Sequence, residues 1–341
     1  MAYKTRHANL FDLLSISASR GKQRVLRLNP PFTLVQPQGL LTDLLRSQLP
    51  IRPRVDFVYV YWDAGRLQGW VQARSRWQRR DEWTITTLAT ADKAPSHVGD
   101  RLLSELVREA GEQGVIRIFA KVPEGAAQLN TFRSLGFTLY TNEEIWGNLY
   151  FGASTTLTDP KDDPRRKLLR GRTGRDAWDL MQLYSAITPA VVQRAEMLTT
   201  RQWHISYLPR PMFLAHGLLE KSYVWQNEAD KAGGLGGFVR LLTGAGGHWV
   251  TVMFRSDLDN REVVPVAIDH VLWKAARHAN KPVYCGIREY QAEVGTLLED
   301  RGFHLLSRQA LLVKYLAEPI KEKQPALAPF LVKTGELVGT K

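Results

Sequence analysis

Residues 82–137 read EWTITTLATADKAPSHVGDRLLSELVREAGEQGVIRIFAKVPEGAAQLNTFRSLGF, and the order of elements in this stretch decides the fold. Residues 82–89 alternate and are rich in aromatic and β-branched side chains, the pattern of a strand. Leu102, Leu103, Leu106, Val107 and Ala110 recur at helical spacing, which predicts a helix from about residue 99 to 113 that Gly114 stops. Strand character returns over 115–122, a second helix is expected over 126–134, and Gly136-Phe137 opens another strand. Upstream, 57–62 and 67–76 read as strands joined by a turn at Asp63-Ala64-Gly65.

The same order recurs about 166 positions on. Gln68-Gly69-Trp70-Val71 is answered by Gly236-Gly237-Phe238-Val239, Trp83-Thr84-Ile85 by Trp249-Val250-Thr251, and Leu135-Gly136-Phe137 by Arg301-Gly302-Phe303. The second half is accordingly read as strands at 222–226, 236–242 and 248–255, a helix near 267–279, a strand at 282–287, a helix near 291–301 and strands from 303 to 316. The glycine-rich stretches 233–237 and 244–247 flank strands and read as hairpin turns. This divides the chain into a first domain over 1–151, a linker over 152–166, a second domain over 167–317 and a mobile tail over 318–341. The first 50 residues match the repeat poorly and are expected to hold helices at 10–17 and 40–49.

Composition narrows the function classes. A chain of 341 residues has room for two domains of ordinary size, and its 44% apolar and 23% charged residues mark a globular protein. Its apolar runs are strand-length, far short of the about 20 residues needed to cross a bilayer. No leader with a small-residue cleavage site opens the sequence, so a cytoplasmic protein with no membrane partner is expected. The single cysteine, Cys285, reads as a small buried hydrophobe. No histidine pair has zinc-ligand spacing, and no metal is expected; nor is there a G-x-S-x-G elbow or a phosphate loop. The net charge of +12 favours anionic partners. Arg74, Arg76, Arg79 and Arg80 around Trp77, and Arg165, Arg166, Lys167, Arg170, Arg172 and Arg175 in mid-chain, read as a solvated hairpin tip and linker, with a nucleic-acid or other acidic surface as the alternative.

On the order of elements and the two Gly-Phe endings, each half resembles a GCN5-related N-acetyltransferase (GNAT) domain. The resemblance is closest over 55–150, most specific over 86–137, and looser over 167–317. It implies a mixed α/β fold of two tandem GNAT-like domains, each a mostly antiparallel mixed sheet with helices on both faces, packed as an intramolecular pseudo-dimer. It further implies an N-acyltransferase that moves an acetyl or other acyl group from acetyl-CoA, its co-substrate, to an amine acceptor held between the copies. In such a site a strand splays from its neighbour and the next helix offers unpaired N–H groups to a pyrophosphate. Carried over, the backbone of Leu88, Ala89 and Thr90 is expected to pair with the pantetheine amides, and Ser96, His97, Val98, Gly99, Asp100 and Arg101 to receive the pyrophosphate.

The sequence departs from that pattern at several positions. Ala94 stands where a basic residue is expected, His97 replaces a glycine, and Pro95 brings no N–H. Phe132 occupies the place of the family's tyrosine, beside the cofactor but unable to give a proton, and Leu298 does so in the second copy. Substitute proton donors are Tyr140, His97 and Glu82, each with a structural role as the alternative. The second-half turn, 260–268, contains no glycine, so that copy is expected not to bind coenzyme A. These departures support a second function class, a non-catalytic GNAT-fold binding or scaffold protein for an acidic partner.

Overall fold

The computed structural model describes residues 4–18, 23–28, 56–76, 79–151, 163–204, 219–226, 234–256, 262–278 and 280–316. The expected helix at 40–49, Trp77, the tail and most of the linker lie outside these residues. The first half runs β1 (Lys4–His7), α1 (Leu10–Ala18), β2 (Gln23–Arg27), β3 (Asp56–Asp63), β4 (Arg66–Arg76), β5 (Arg79–Ala91), α2 (His97–Glu112), β6 (Arg117–Pro123), α3 (Gln128–Ser134) and β7 (Thr138–Asn148). The second runs β8 (Arg170–Gly171), α4 (Ala177–Ile187), α5 (Ala190–Glu196), α6 (Thr200–Trp203), β9 (Leu219–Gln226), β10 (Leu235–Thr243), β11 (His248–Phe254), α7 (Val263–Ala276), β12 (Val283–Arg288), α8 (Glu293–Glu299) and β13 (His304–Tyr315).

The motifs that mark the repeat have backbone reasons. Gly136 and Gly302 take positive φ (80° and 73°) directly after α3 and α8. The next N–H reaches back five residues, from Phe137 to the Phe132 carbonyl and from Phe303 to the Leu298 carbonyl, each at 3.1 Å. Both endings are therefore Schellman caps, and the phenylalanine that follows each is buried in its half's core. Gly69 is required for close approach, since a Cβ there would meet the Ala89 carbonyl oxygen at 2.7 Å and the side chains of Val98 and Leu102 on α2. At Gly237 a Cβ would collide with the Trp225 ring.

All the described strands join one sheet in the order β1-β3-β4-β5-β6-β13-β7-β12-β11-β10-β9-β8, with β2 on β5. At its centre the two halves exchange their last strands. β13 lies antiparallel between β6 and β7, and β7 lies antiparallel between β13 and β12. Ala310 and Leu312 of β13 are buried in the first half's core with Leu102, Leu106 and Phe132, while Trp146 of β7 packs on the second half's core. The exchange leaves no open edge between the halves.

The repeat also reaches further toward the N-terminus than the sequence reading allowed. Arg6 grips Asp12 with both nitrogens (2.5 and 2.8 Å) while the Asn9 N–H donates to the same carboxylate at 2.7 Å. Arg170 grips Asp176 in the same way (2.9 and 2.6 Å), with the Thr173 N–H donating at 2.6 Å. In each half an edge strand thus turns into its first helix through a bidentate Arg–Asp clasp.

Candidate functional site

The site begins where β5 and β6 part. They pair in parallel over Glu82–Arg117, Trp83–Ile118 and Thr84–Phe119 only, and then diverge. At the vertex Glu82 and Arg117 form a fully buried ion pair (2.6 Å), joined by Arg79 at 2.9 Å. Burial lowers the Arg117 pKa, and Glu82 opposes that shift. Glu82 is thus bound into a structural pair and not poised as a proton donor. Arg79, read from sequence as part of a solvated tip, instead donates to the Glu196 and Met197 carbonyls, and Arg117 donates to Ala195, so the pair closes the C-terminal end of α5.

At the mouth of the V stands the first turn of α2. Its Ser96 start carries no side-chain cap. Lys93, Ser96, His97 and Arg101 are exposed, Asp100 is half-buried, and Val98 is buried beneath them with its N–H donated to the Pro95 carbonyl at 3.1 Å. A Cβ on Gly99 would meet nothing within 4 Å. His97 Nε2 lies 3.4 Å from the Tyr61 hydroxyl. This is a helix start open to solvent, with exposed basic side chains beside it.

The V itself is occupied by the protein's own chain. β2 lies antiparallel on β5, with Arg24 opposite Thr90, Val25 opposite Ala89 and Leu26 opposite Leu88. The Leu28 N–H donates to the Thr86 carbonyl at 2.9 Å. That bond fixes the parity: Leu26–Leu88 and Arg24–Thr90 are the other hydrogen-bonded pairs, and Val25–Ala89 is not one. Leu88 and Thr90 therefore spend on β2 the edge that the resemblance assigned to pantetheine, while Ala89 pairs with Trp70 of β4. Phe132, expected beside the cofactor, lies on α3. Its ring is fully buried edge-on to Phe137 (centroids 5.1 Å apart), a core position with no open surface.

In the second half β11 and β12 likewise pair over three residues, from His248–Val283 to Val250–Cys285. Among the described residues no strand fills this V. Gln291 instead donates its side-chain amide to the Val252 carbonyl at 3.3 Å. Beyond it a cavity of about 340 Å³ is lined by Ile187, Phe254, Arg255, Tyr290, Gln291 and Glu293. Val263, Val264 and Val266 bury their side chains at the start of α7, where an anion would need open backbone. Cys285 is buried and its thiol is pushed up to about 12, so it is no nucleophile.

A chain of alternating charges crosses the seam between the halves. Lys121 meets Glu143 (2.6 Å), Glu143 meets Arg288 (3.1 Å) and Arg288 meets Glu196 (2.9 Å). Burial alone would raise the Glu143 pKa, but Lys121 and Arg288 more than offset it and hold the carboxyl below its usual range. The Tyr184 hydroxyl donates to Glu196 at 2.9 Å, and Tyr140 reaches the same carboxylate at 3.5 Å. Tyr140 is thereby a seam residue. Three of the mid-chain arginines are likewise structural: Arg166 donates to His270, Arg170 clasps Asp176, and Arg172 donates to the Trp203 carbonyl, while Arg165, Lys167 and Arg175 are exposed.

No protein-family model and no curated protein sequence matches the chain. Solved structures match it in fold. A tandem GNAT protein from the clavulanic acid biosynthesis pathway superposes with a TM-score of 0.55 at 12% identity, over 92% of this chain and 98% of that one. A GCN5-related N-acetyltransferase from Sphaerobacter thermophilus superposes with a TM-score of 0.55 at 14% identity, over 92% and 95%. At such identity the likeness is one of architecture: this chain has the tandem fold of GCN5-related N-acetyltransferases along almost its whole length. No described helix is long and apolar enough to cross a membrane.

Proposed function

We propose that the protein is an acyl-CoA-dependent N-acyltransferase working from the first-half cleft, with acetyl-CoA as donor and an amine as acceptor. The observation that carries this reading is the divergence of β5 from β6 beneath an uncapped helix start, where the buried Gly99 has no atom within 4 Å of the place a Cβ would take. Ser96 to Arg101 would hold the pyrophosphate through backbone N–H groups and the exposed side chains of Arg101 and His97. Leu88 and Thr90 would pair with the amides of the arm once β2 has left them. The acyl thioester supplies the electrophile. The amine nitrogen forms the new bond to the acyl carbon as the carbon–sulfur bond breaks; the proton shed by the amine goes to water, and the coenzyme A thiolate leaves and takes its proton from water, since Phe132 carries no acidic hydrogen. Holding the two reactants together provides the acceleration.

A second reading, a non-catalytic module that binds an acidic partner, is favoured by the burial of Phe132 and Leu298 and by the +12 charge. Calorimetric titration of acetyl-CoA into the full chain and a Gly99→Trp variant separates the two. Saturable binding lost in the variant supports the acyltransferase; absence of binding at millimolar ligand supports the module.

A further inference from the structure

We infer that β2 is the first-half cleft's built-in occupant, an autoinhibitory strand that must leave β5 before an acyl-CoA can enter. The inference rests on the acyltransferase reading above and adds its regulation. Three observations carry it. First, β2 takes the Thr86, Leu88 and Thr90 edge of β5, the edge that opens because β6 has turned away. An extended ligand with amide groups needs that same row of donors and acceptors, so strand and ligand are mutually exclusive.

Second, β2 is held lightly for a strand inside a sheet. Among the described residues it pairs on one side only, and the Arg24 and Val25 side chains are exposed. Its anchors among the described residues are the Trp70 Nε1–Gln23 hydrogen bond (3.0 Å), an exposed Arg24–Asp92 pair (3.7 Å), the half-buried Leu26 on the first core and the buried Leu28. Third, the second half shows that this position in the repeat is not bound to be a strand. The segment that follows the first helix there is α5, which lies over the central strands instead of entering its own V. With the competent state only fractionally populated, apparent affinity falls by that fraction.

The test is a reversible lock. Val25 and Ala89 face each other as a non-hydrogen-bonded pair, the geometry in which cross-strand cysteines bridge. A Val25→Cys/Ala89→Cys protein is titrated with acetyl-CoA by calorimetry, oxidised and reduced, beside a Leu26→Pro variant that removes a ladder N–H. Hydrogen exchange at the Leu88 and Thr90 amides reports whether β2 has left, and circular dichroism whether the sheet persists. The expected result is binding by the reduced protein, tighter binding by Leu26→Pro, and affinity at least about tenfold lower in the oxidised form. Equal affinity in the oxidised and reduced forms overturns the autoinhibitory role and leaves the acyltransferase reading intact. No binding by any form, with Leu88 and Thr90 freely exchanging in a folded Leu26→Pro protein, overturns both.

Discussion

The two halves share one backbone plan and complete their clefts by opposite means. Thr86 and Val252 stand 166 positions apart at the same point of divergence. Thr86 accepts from the main chain of Leu28, and Val252 from the side chain of Gln291. Their vertices differ as sharply: Glu82 and Arg117 make a buried ion pair, whereas His248 and Val283 bring a histidine bonded to the Thr243 hydroxyl (3.1 Å) and an aliphatic side chain. The segment after the first helix is a strand inside the cleft of one half and a helix over the seam in the other. A splayed strand must have its buried carbonyl satisfied, and the fold accepts any donor that does so.

The largest test of this comparison is to separate the halves. Residues 1–151 alone lack β13, which exposes the facing edges of β6 and β7 and removes Ala310 and Leu312 from the first core. That fragment should show no cooperative thermal transition and should aggregate, while co-expression with 163–341 should yield a complex by size exclusion. A cooperatively folding monomer of 1–151 would break the exchange account.

Next comes the vertex. Arg117→Ala leaves the buried Glu82 with Arg79 as its remaining cation at this vertex among the described residues and should cost about 3 kcal/mol in denaturant unfolding. Glu82→Leu with Arg117→Met, which imitates the apolar side of the second vertex, should recover most of that loss. If the double variant is no better than the single, the two vertices are not interchangeable.

Acid should then tell the clasps apart. Arg170, helped by the Thr173 backbone and hydroxyl, holds Asp176 at about 2, below its ordinary value of 3.8. Because the folded value is the lower one, the stabilisation is fully present above about pH 4 and is lost as pH falls through 2, about 2 kcal/mol in all. Asp176→Asn should remove that part of the acid dependence and leave the Asp12 clasp in place, as unfolding from pH 5 to 2 would show. The smallest effect is expected at the second cleft, where Gln291→Ala should cost about 1 kcal/mol by leaving the Val252 carbonyl without its donor. A loss several times larger would mean that Gln291 also holds α8.

The sequence by itself determined the tandem repeat and the element order within it. It did so because helical and strand periods, a φ-positive glycine after each C-terminal helix and the phenylalanine that follows are local requirements written residue by residue. It placed Gly99 at the start of α2 and marked Phe132 and Leu298 as unable to give a proton. The Arg–Asp clasp that extends the repeat to Arg6 was present as Arg and Asp six residues apart in both halves, a spacing that carries no meaning until an edge strand and a helix fold it shut. Only the tertiary structure decided that the last strands cross over, that Arg79 and Arg172 are half-buried partners and not solvated charges, and that β2 fills the first cleft. The physical reason is that strand edges are sequence-blind: a row of backbone N–H and C=O groups will pair with whichever extended segment the rest of the fold brings alongside.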